Sequence, residues 1–205
     1  MKLVFKYIII TALLLISTQI KAQSFKGGFF GGLAMSQIDG DKIDGYNRPN
    51  LKIGILSELK KQRRKSHTYG FELYYQGKGS NTWTPKGSTG PDNRIRLHTI
   101  EILPYYKYFL SKKVYIRGGI AFGYLLKADK KIEGEIADFK SDFFNKVTFD
   151  GNIGIGAKIS KLSYIQVDLQ YSILSIADVI EEDFIFNKTG MYNNIIAFSI
   201  YTIFK

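Results

Sequence analysis

The sequence predicts an all-β fold: an eight-stranded antiparallel up-and-down transmembrane β-barrel with short periplasmic turns and long extracellular loops. Three observations support this reading: an apolar/polar alternation repeated along the chain, the length of the alternating segments, and connections that switch between short and long. The alternation is cleanest from Ile165 to Ile173, where the odd positions are Ile, Val, Leu, Tyr and Ile and the even ones are Gln166, Asp168, Gln170 and Ser172. A strand sends successive side chains to opposite faces and sorts these residues in two. A helix, at about 100° per residue, would scatter them round its axis with Asp168 among the apolar groups.

The same period marks Phe25 to Ser36, Leu51 to Leu59, Tyr69 to Lys78, Thr99 to Phe109, Val114 to Lys127, Val147 to Ser160, Ile165 to Ile173 and Ile195 to Phe204. One face of these segments carries residues such as Phe29, Ile55, Leu73, Ile102, Ile120, Ile153, Leu169 and Phe198, and no charge. The other carries Lys26, Lys52, Glu58, Glu72, Lys78, Glu101, Lys107, Arg117, Lys127, Asp150, Lys158 and Asp168. A soluble β-sandwich would turn the uncharged face inward. Segments of about 9 to 14 residues are long enough to cross a bilayer when tilted. Tyr69, Tyr75, Tyr106, Tyr108, Tyr124 and Tyr171 on the apolar side suit interfacial girdles, so that face is read as the outside.

The links 60–67, 110–113 and 161–164 are short, and 37–50, 79–98, 128–146 and 175–194 are long. In outer-membrane barrels the short turns are periplasmic and the long loops outside, which with an even strand number places both termini in the periplasm. Asp39-Gly40-Asp41 and Gly87-Ser88-Thr89-Gly90-Pro91-Asp92-Asn93 are loop compositions. Pro104 falls inside the fourth strand and lacks an N–H for the ladder, so a bulge is expected there. The chain closes on Phe198, Ile200, Thr202, Phe204 and Lys205, which looks like the last strand by which barrel-assembly machinery recognises its clients.

Lys2 and Lys6 precede an apolar run from Tyr7 to Ile16, and a Lys21-Ala22-Gln23 junction follows. This is the pattern of a secretory signal, with cleavage expected between Ala22 and Gln23; the apolar run is too short for a spanning helix. Residues 1–22 are thus a signal peptide, and residues 23–205 form one barrel domain. With no cysteine, stability must come from packing and backbone pairing. A mean hydropathy of −0.09 suits a wall of which every second residue faces lipid. The net charge of +11 gathers on no single helix or Arg-rich stripe, so nucleic acid is not an expected partner.

An eight-stranded barrel is narrow enough for side chains to fill it. Glu72, Lys78, Glu101, Lys107, Arg117, Asp150, Lys158 and Asp168 are therefore expected to form a lumenal charge network, with Glu72, Lys107 and Arg117 at one height, Lys78 beside Glu101 and Lys158 beside Asp168. Inward Gly28, Gly32, Gly119, Gly123, Gly154 and Gly156 leave room for these long neighbours. No catalytic residue, cofactor or metal site is assigned. A Ser-His-acid site would need His98 beside Ser80; a loop calcium site at Asp39, Asp41 and Asp44 lacks the EF-hand pattern. Gly151-x-x-Gly154-x-Gly156 lies in a strand and runs opposite to a dinucleotide fingerprint. The basic run Lys60-Lys61-Gln62-Arg63-Arg64-Lys65 is read as a solvated periplasmic turn, with anionic headgroups or an acidic periplasmic protein as alternatives.

The glycine-rich first strand Gly27 to Leu33, the segment Phe71-Glu72-Leu73-Tyr74-Tyr75-Gln76-Gly77-Lys78-Gly79-Ser80 and Ile100-Glu101-Ile102-Leu103-Pro104 resemble the PorT-like outer-membrane β-barrel family of Bacteroidota. The resemblance spans residues 24 to 204. It implies a porin-family barrel without an assigned activity, one branch of which is implicated in secretion and gliding. The functional expectation is a non-enzymatic barrel with a role in envelope structure, surface binding through its long loops, or assistance to secretion; the alternative is a small-solute channel. Expected partners are outer-membrane lipid or lipopolysaccharide, the assembly machinery and a periplasmic or secretion-system protein.

Overall fold

The computed structural model describes residues 24–43, 45–60, 66–82, 93–131, 143–177 and 190–204. The expected signal segment with its Ala22-Gln23 junction, Asp44 and residues 61–65 of the basic run lie outside the described residues. Eight strands, β1 (Ser24–Asp39), β2 (Arg48–Lys60), β3 (His67–Asn81), β4 (Arg94–Phe109), β5 (Val114–Lys131), β6 (Val147–Lys158), β7 (Ser163–Ser172) and β8 (Tyr192–Phe204), pair with their sequence neighbours. Every pairing is antiparallel, and β8 returns to β1 to close the barrel.

The strands are staggered. Following partners round the wall from Lys26 through Glu58, Gly70, Tyr105, Gly119, Asn152, Gln170 and Ile195 leads back to β1 at Ser36, ten residues further along. Residues level with one another in the ladder therefore stand at different heights in the barrel, because closure with a shear requires tilted strands.

Several strands run past their expected ends, most clearly at the rim of the long connections. There β1 continues through Gln37 to Asp39 and β4 begins at Arg94. Backbone pairing continues where the outward side chains become polar, so the apolar alternation stops before the strand does. Around the middle of the wall the outward side chains are apolar and exposed, including Ile55 at 59% and Ile153 at 69%, while Glu72, Lys78, Glu101 and Asp168 inside are fully buried.

The expected bulge at Pro104 is corrected. The ladder to β5 is interrupted at Leu103 and Pro104 but resumes in the same register, between Ile102 paired with Phe122 and Tyr105 paired with Gly119. Pro104 points outward, and its missing N–H interrupts the pairing without adding a residue. The register shift lies instead between His98, paired with Lys127, and Thr99, paired with Leu125, which leaves Leu126 as the extra residue. One extra residue reverses every side chain beyond it. Lys127, expected inside, is accordingly outside, 68% exposed and 3.1 Å from Asp129.

A cation placed on the middle of the apolar belt should expose the nature of its solvent. Ile55→Arg is expected to lower barrel stability by about 2–4 kcal/mol in lipid vesicles, whereas Met35→Arg, nearer the polar rim, loses about 0–1 kcal/mol. Urea titration with the gel shift between folded and unfolded barrel measures both.

Candidate functional site

The lumen is filled by side chains from all eight strands. Among the described residues, four buried cations, Lys52, Lys78, Lys107 and Arg117, meet five buried carboxylates, Glu58, Glu72, Glu101, Asp150 and Asp168. Charges removed from water are tolerated only when paired and hydrogen-bonded. Three connected groups of residues meet that demand.

Arg117 holds the central group. Its Nε and Nη2 donate to the two oxygens of Asp168 at 3.0 Å each, Nη1 pairs with Glu72, and Nη2 also reaches the Tyr201 hydroxyl at 3.2 Å. The planar guanidinium suits this fork geometry, and the rings of Tyr105 and Tyr201 flank it at 5.0 and 5.5 Å. Lys52 reaches Asp168 at 3.4 Å and lies 4.7 Å from the Tyr74 ring. Gln166 donates to Asp168 as well. The central group thus has two cations and two carboxylates.

Towards the short turns, Lys107 pairs with Glu58 and sits 4.5 Å from the Tyr115 ring, while Tyr105 donates to Glu58 at 3.0 Å. Towards the long connections, Lys78 alone serves two carboxylates, Glu101 at 2.6 Å and Asp150. Neutral donors supplement it. Tyr74 and Thr99 donate to Glu101 at 2.8 and 2.7 Å, Ser172 donates to Asp150 at 2.7 Å, and the Gln170 amide nitrogen bridges both carboxylates at 2.9 and 3.0 Å.

Glycines on the ladder let long side chains reach across an intervening strand. Gly154 lies between Arg117 on β5 and Asp168 on β7, and an added Cβ there would collide with Asp168 and crowd Arg117 at 3.3 Å. Gly70 stands in the same relation to Glu58 and Tyr105, and Gly156 to Tyr115 and Gln166, whose hydrogen bond is 2.8 Å.

The expected and observed groupings differ in instructive places. Glu72 meets Arg117 and Lys78 meets Glu101, but Lys107 turns to Glu58, and Asp168 is taken by Arg117 and Lys52. Lys158 pairs in the ladder with Tyr164, four residues along β7 from Asp168, and is only partly buried, 5.9 Å from the Tyr164 ring. Equating heights without the stagger placed it too far up the lumen. Lys52 and Glu58 were legible as inward charges but not as members of the paired set. Tyr74, Tyr105, Tyr201, Gln166 and Gln170 complete the network; their only sequence signal was their inward phase.

The lumen narrows to apolar packing towards the end of the long connections. Ile38, Ile95, Leu97, Leu125, Phe144, Ile176 and Met191 pack there as an apolar cluster, while Phe30, Leu56, Leu103 and Tyr201 fill the space beside the central ions. Above, Ser80 donates to Asp41, whose carboxyl burial lifts above its ordinary range despite that bond. His98 cannot join Ser80 in a catalytic pair: it points outward and bonds Tyr75, whereas Ser80 points inward, so the wall separates them. Asp39 accepts from Gln37 and Asn194, and Asp41 from Ser80 and the Ile43 backbone, so protein donors already engage both carboxylates of the loop triplet that the structure describes.

The charge imbalance beside Lys78 makes two substitutions unequal. Lys78→Met leaves two carboxylates facing one another and is expected to lower stability by about 3–5 kcal/mol, while Glu101→Gln leaves one carboxylate per lysine and loses about 1 kcal/mol. Gly154→Ala, a single added methyl, should remove about 1–3 kcal/mol by forcing Arg117 and Asp168 apart. Urea midpoints for the three refolded variants give the ranking.

The sequence pattern of the family described as "Outer membrane protein beta-barrel domain" matches residues 21–181. No curated protein matches the chain in sequence. Among solved structures the chain is similar to Neisserial surface protein A, with a TM-score of 0.53 and 9% identity over 89% of this chain and 99% of that one. It is also similar to Ail, the attachment invasion locus protein of Yersinia pestis, solved with the heparin analogue sucrose octasulfate, with a TM-score of 0.49 and 13% identity over 88% and 99% of the two chains. The first of these likenesses concerns the fold, and it agrees with the closed eight-stranded wall described above. Because the family pattern extends over most of its length, the chain belongs to the outer membrane protein β-barrel domain family.

Proposed function

We propose that this outer-membrane barrel is non-enzymatic and non-conducting, and that it acts through its surfaces: an envelope component whose long connections face outward and bind there. The observation that carries the reading is the closed lumen. Its buried charges are engaged by one another, and an apolar cluster from Ile38 to Met191 lies across one end. An ion crossing this barrel would have to displace these ion pairs. The four long connections are the parts of the chain that the packed wall leaves for recognition. In this orientation both termini and the short turns are periplasmic. Assistance to secretion, as the PorT-like resemblance implies, would use the same outer surfaces or the periplasmic turns.

One observation favours a second reading, a narrow hydrated path. Gln76, Asn152, Asn193, Thr148 and Ser199 are buried, with side-chain polar atoms that make no hydrogen bond to the described residues. Such atoms could line a thread of water past the ion pairs.

Planar-bilayer recording separates the two. The purified barrel is expected to give no steady conductance, and Arg117→Ala, which opens the centre of the lumen, to give more than wild type. Steady wild-type conductance would establish the channel reading. Protease added to intact cells should cut within 82–93 or 173–191 and spare 110–113; cleavage of the short turns alone would reverse the orientation.

A further inference from the structure

The outer face of the wall is hollow in one place. Gly118 on β5 and Gly151 on β6 both point outward, and together they floor a groove of about 530 Å³. An added Cβ would meet nothing nearer than 3.8 Å at Gly118 or 3.9 Å at Gly151, so this floor is open rather than a place where strands need a close approach. Ile153 and Leu169, 69% and 58% exposed, form apolar sides. The volume lies in the range of clefts that hold a small molecule.

Along the groove the chemistry changes with depth. The glycine floor lies among the apolar residues of the membrane belt, and the other end reaches the rim of the long connections at Tyr171, Tyr46 and Asn194. The Tyr46 hydroxyl donates to the Asn194 side-chain oxygen at 2.7 Å. The Asn194 amide donates to Asp39 at 3.5 Å, and Gln37 donates to the same carboxylate at 2.8 Å. The polar end therefore presents the phenol and amide groups of Tyr46, Tyr171 and Asn194, backed by the Asp39 carboxylate, and no cation is among the described residues that line the groove. A phosphate headgroup would meet an acceptor-rich, acidic surface there. Sugar hydroxyls, which both donate and accept, match it.

We infer that this groove holds one acyl chain of a sugar-headed lipid, with the chain over Gly118 and Gly151 and the sugar against Tyr46, Asn194 and Asp39. The groove is continuous with the lipid-facing wall, and its change from apolar to polar follows that of an amphiphile standing in one leaflet. Only the assignment to the outer leaflet rests on the orientation proposed above. The binding itself is independent of orientation.

Native mass spectrometry of the full-length purified barrel tests the site, using a diacyl glucosyl glycerolipid and phosphatidylglycerol with the same chains at equal concentration. Wild type is expected to retain one glucosyl lipid in preference to phosphatidylglycerol. Filling the floor with Gly118→Leu and Gly151→Leu together should lower that retention about tenfold, the equivalent of roughly two buried methylene groups. Gly31→Leu, at an outward glycine on β1 with nothing within 4 Å of its added Cβ, is the control and should retain the lipid as wild type does. Asn194→Ala should bring retention of the two lipids close together. All variants must first show the gel shift of a folded barrel. Equal retention of both lipids by wild type, retention unchanged by the double leucine variant, or a barrel dimer that the leucines abolish would each overturn the assignment. Protease accessibility of the loops in cells is measured separately, so a reversed orientation would change the leaflet without changing these results.

Discussion

Arg117 sets the terms for the rest of the lumen. A guanidinium this deeply buried needs acceptors on several sides, and Glu72, Asp168 and Tyr201 supply them from three other strands. Each acceptor then makes demands of its own: Asp168 is met by Lys52 and Gln166, and the reach from β5 to β7 is open because Gly154 has no side chain. Tyr105 and Tyr201 cover the faces of the guanidinium and bring bulk that helps close the lumen. The apolar outer wall imposes this arrangement. With lipid outside, the polar half of each strand has only the interior, and a barrel of eight strands leaves that interior little room for water.

Reversing the usual distribution also changes what individual residues do. In a soluble protein Ile153 or Phe198 would be core; here they are surface, and Lys52 and Glu72 are core. Apolar packing still contributes inside, through Phe30, Leu56 and Leu103, but it fills space between ion pairs instead of forming a continuous phase. Specificity of register comes largely from the charges, since a slip of one residue would move them into lipid.

How much of this was legible in the sequence depends on whether a feature is local or a property of closure. The period of two is local, so the strands and the charged inner face could be read directly, as Asp168 between Val167 and Leu169 illustrates. Pairing across the lumen depends on the ten-residue stagger, which no single segment reveals. From sequence Lys158 therefore reads as level with Asp168, and nothing in the pattern marks Glu58 as the partner of Lys107. Lys127 lies outside for a different reason: the extra residue at Leu126 leaves no mark in composition, yet reverses the phase of everything after it. Pro104 gave the opposite lesson, since a conspicuous residue on the lipid side disturbed the ladder without changing the register.

The span of the ion pairs bears on how such a barrel can form at all. Lys52 finds Asp168 across 116 residues of sequence, and Lys78 finds Asp150 across 72. A sheet of the first six strands would hold Arg117 with Glu72 but leave Lys52 without Asp168. Without β7 the charged face of such a sheet would have to stay wet, the carboxylate partner of Lys52 being absent. Contacts this distant in sequence slow a chain's search for its final arrangement. The central charges are fully paired only with β7 in place, so water can leave the centre only as the barrel closes.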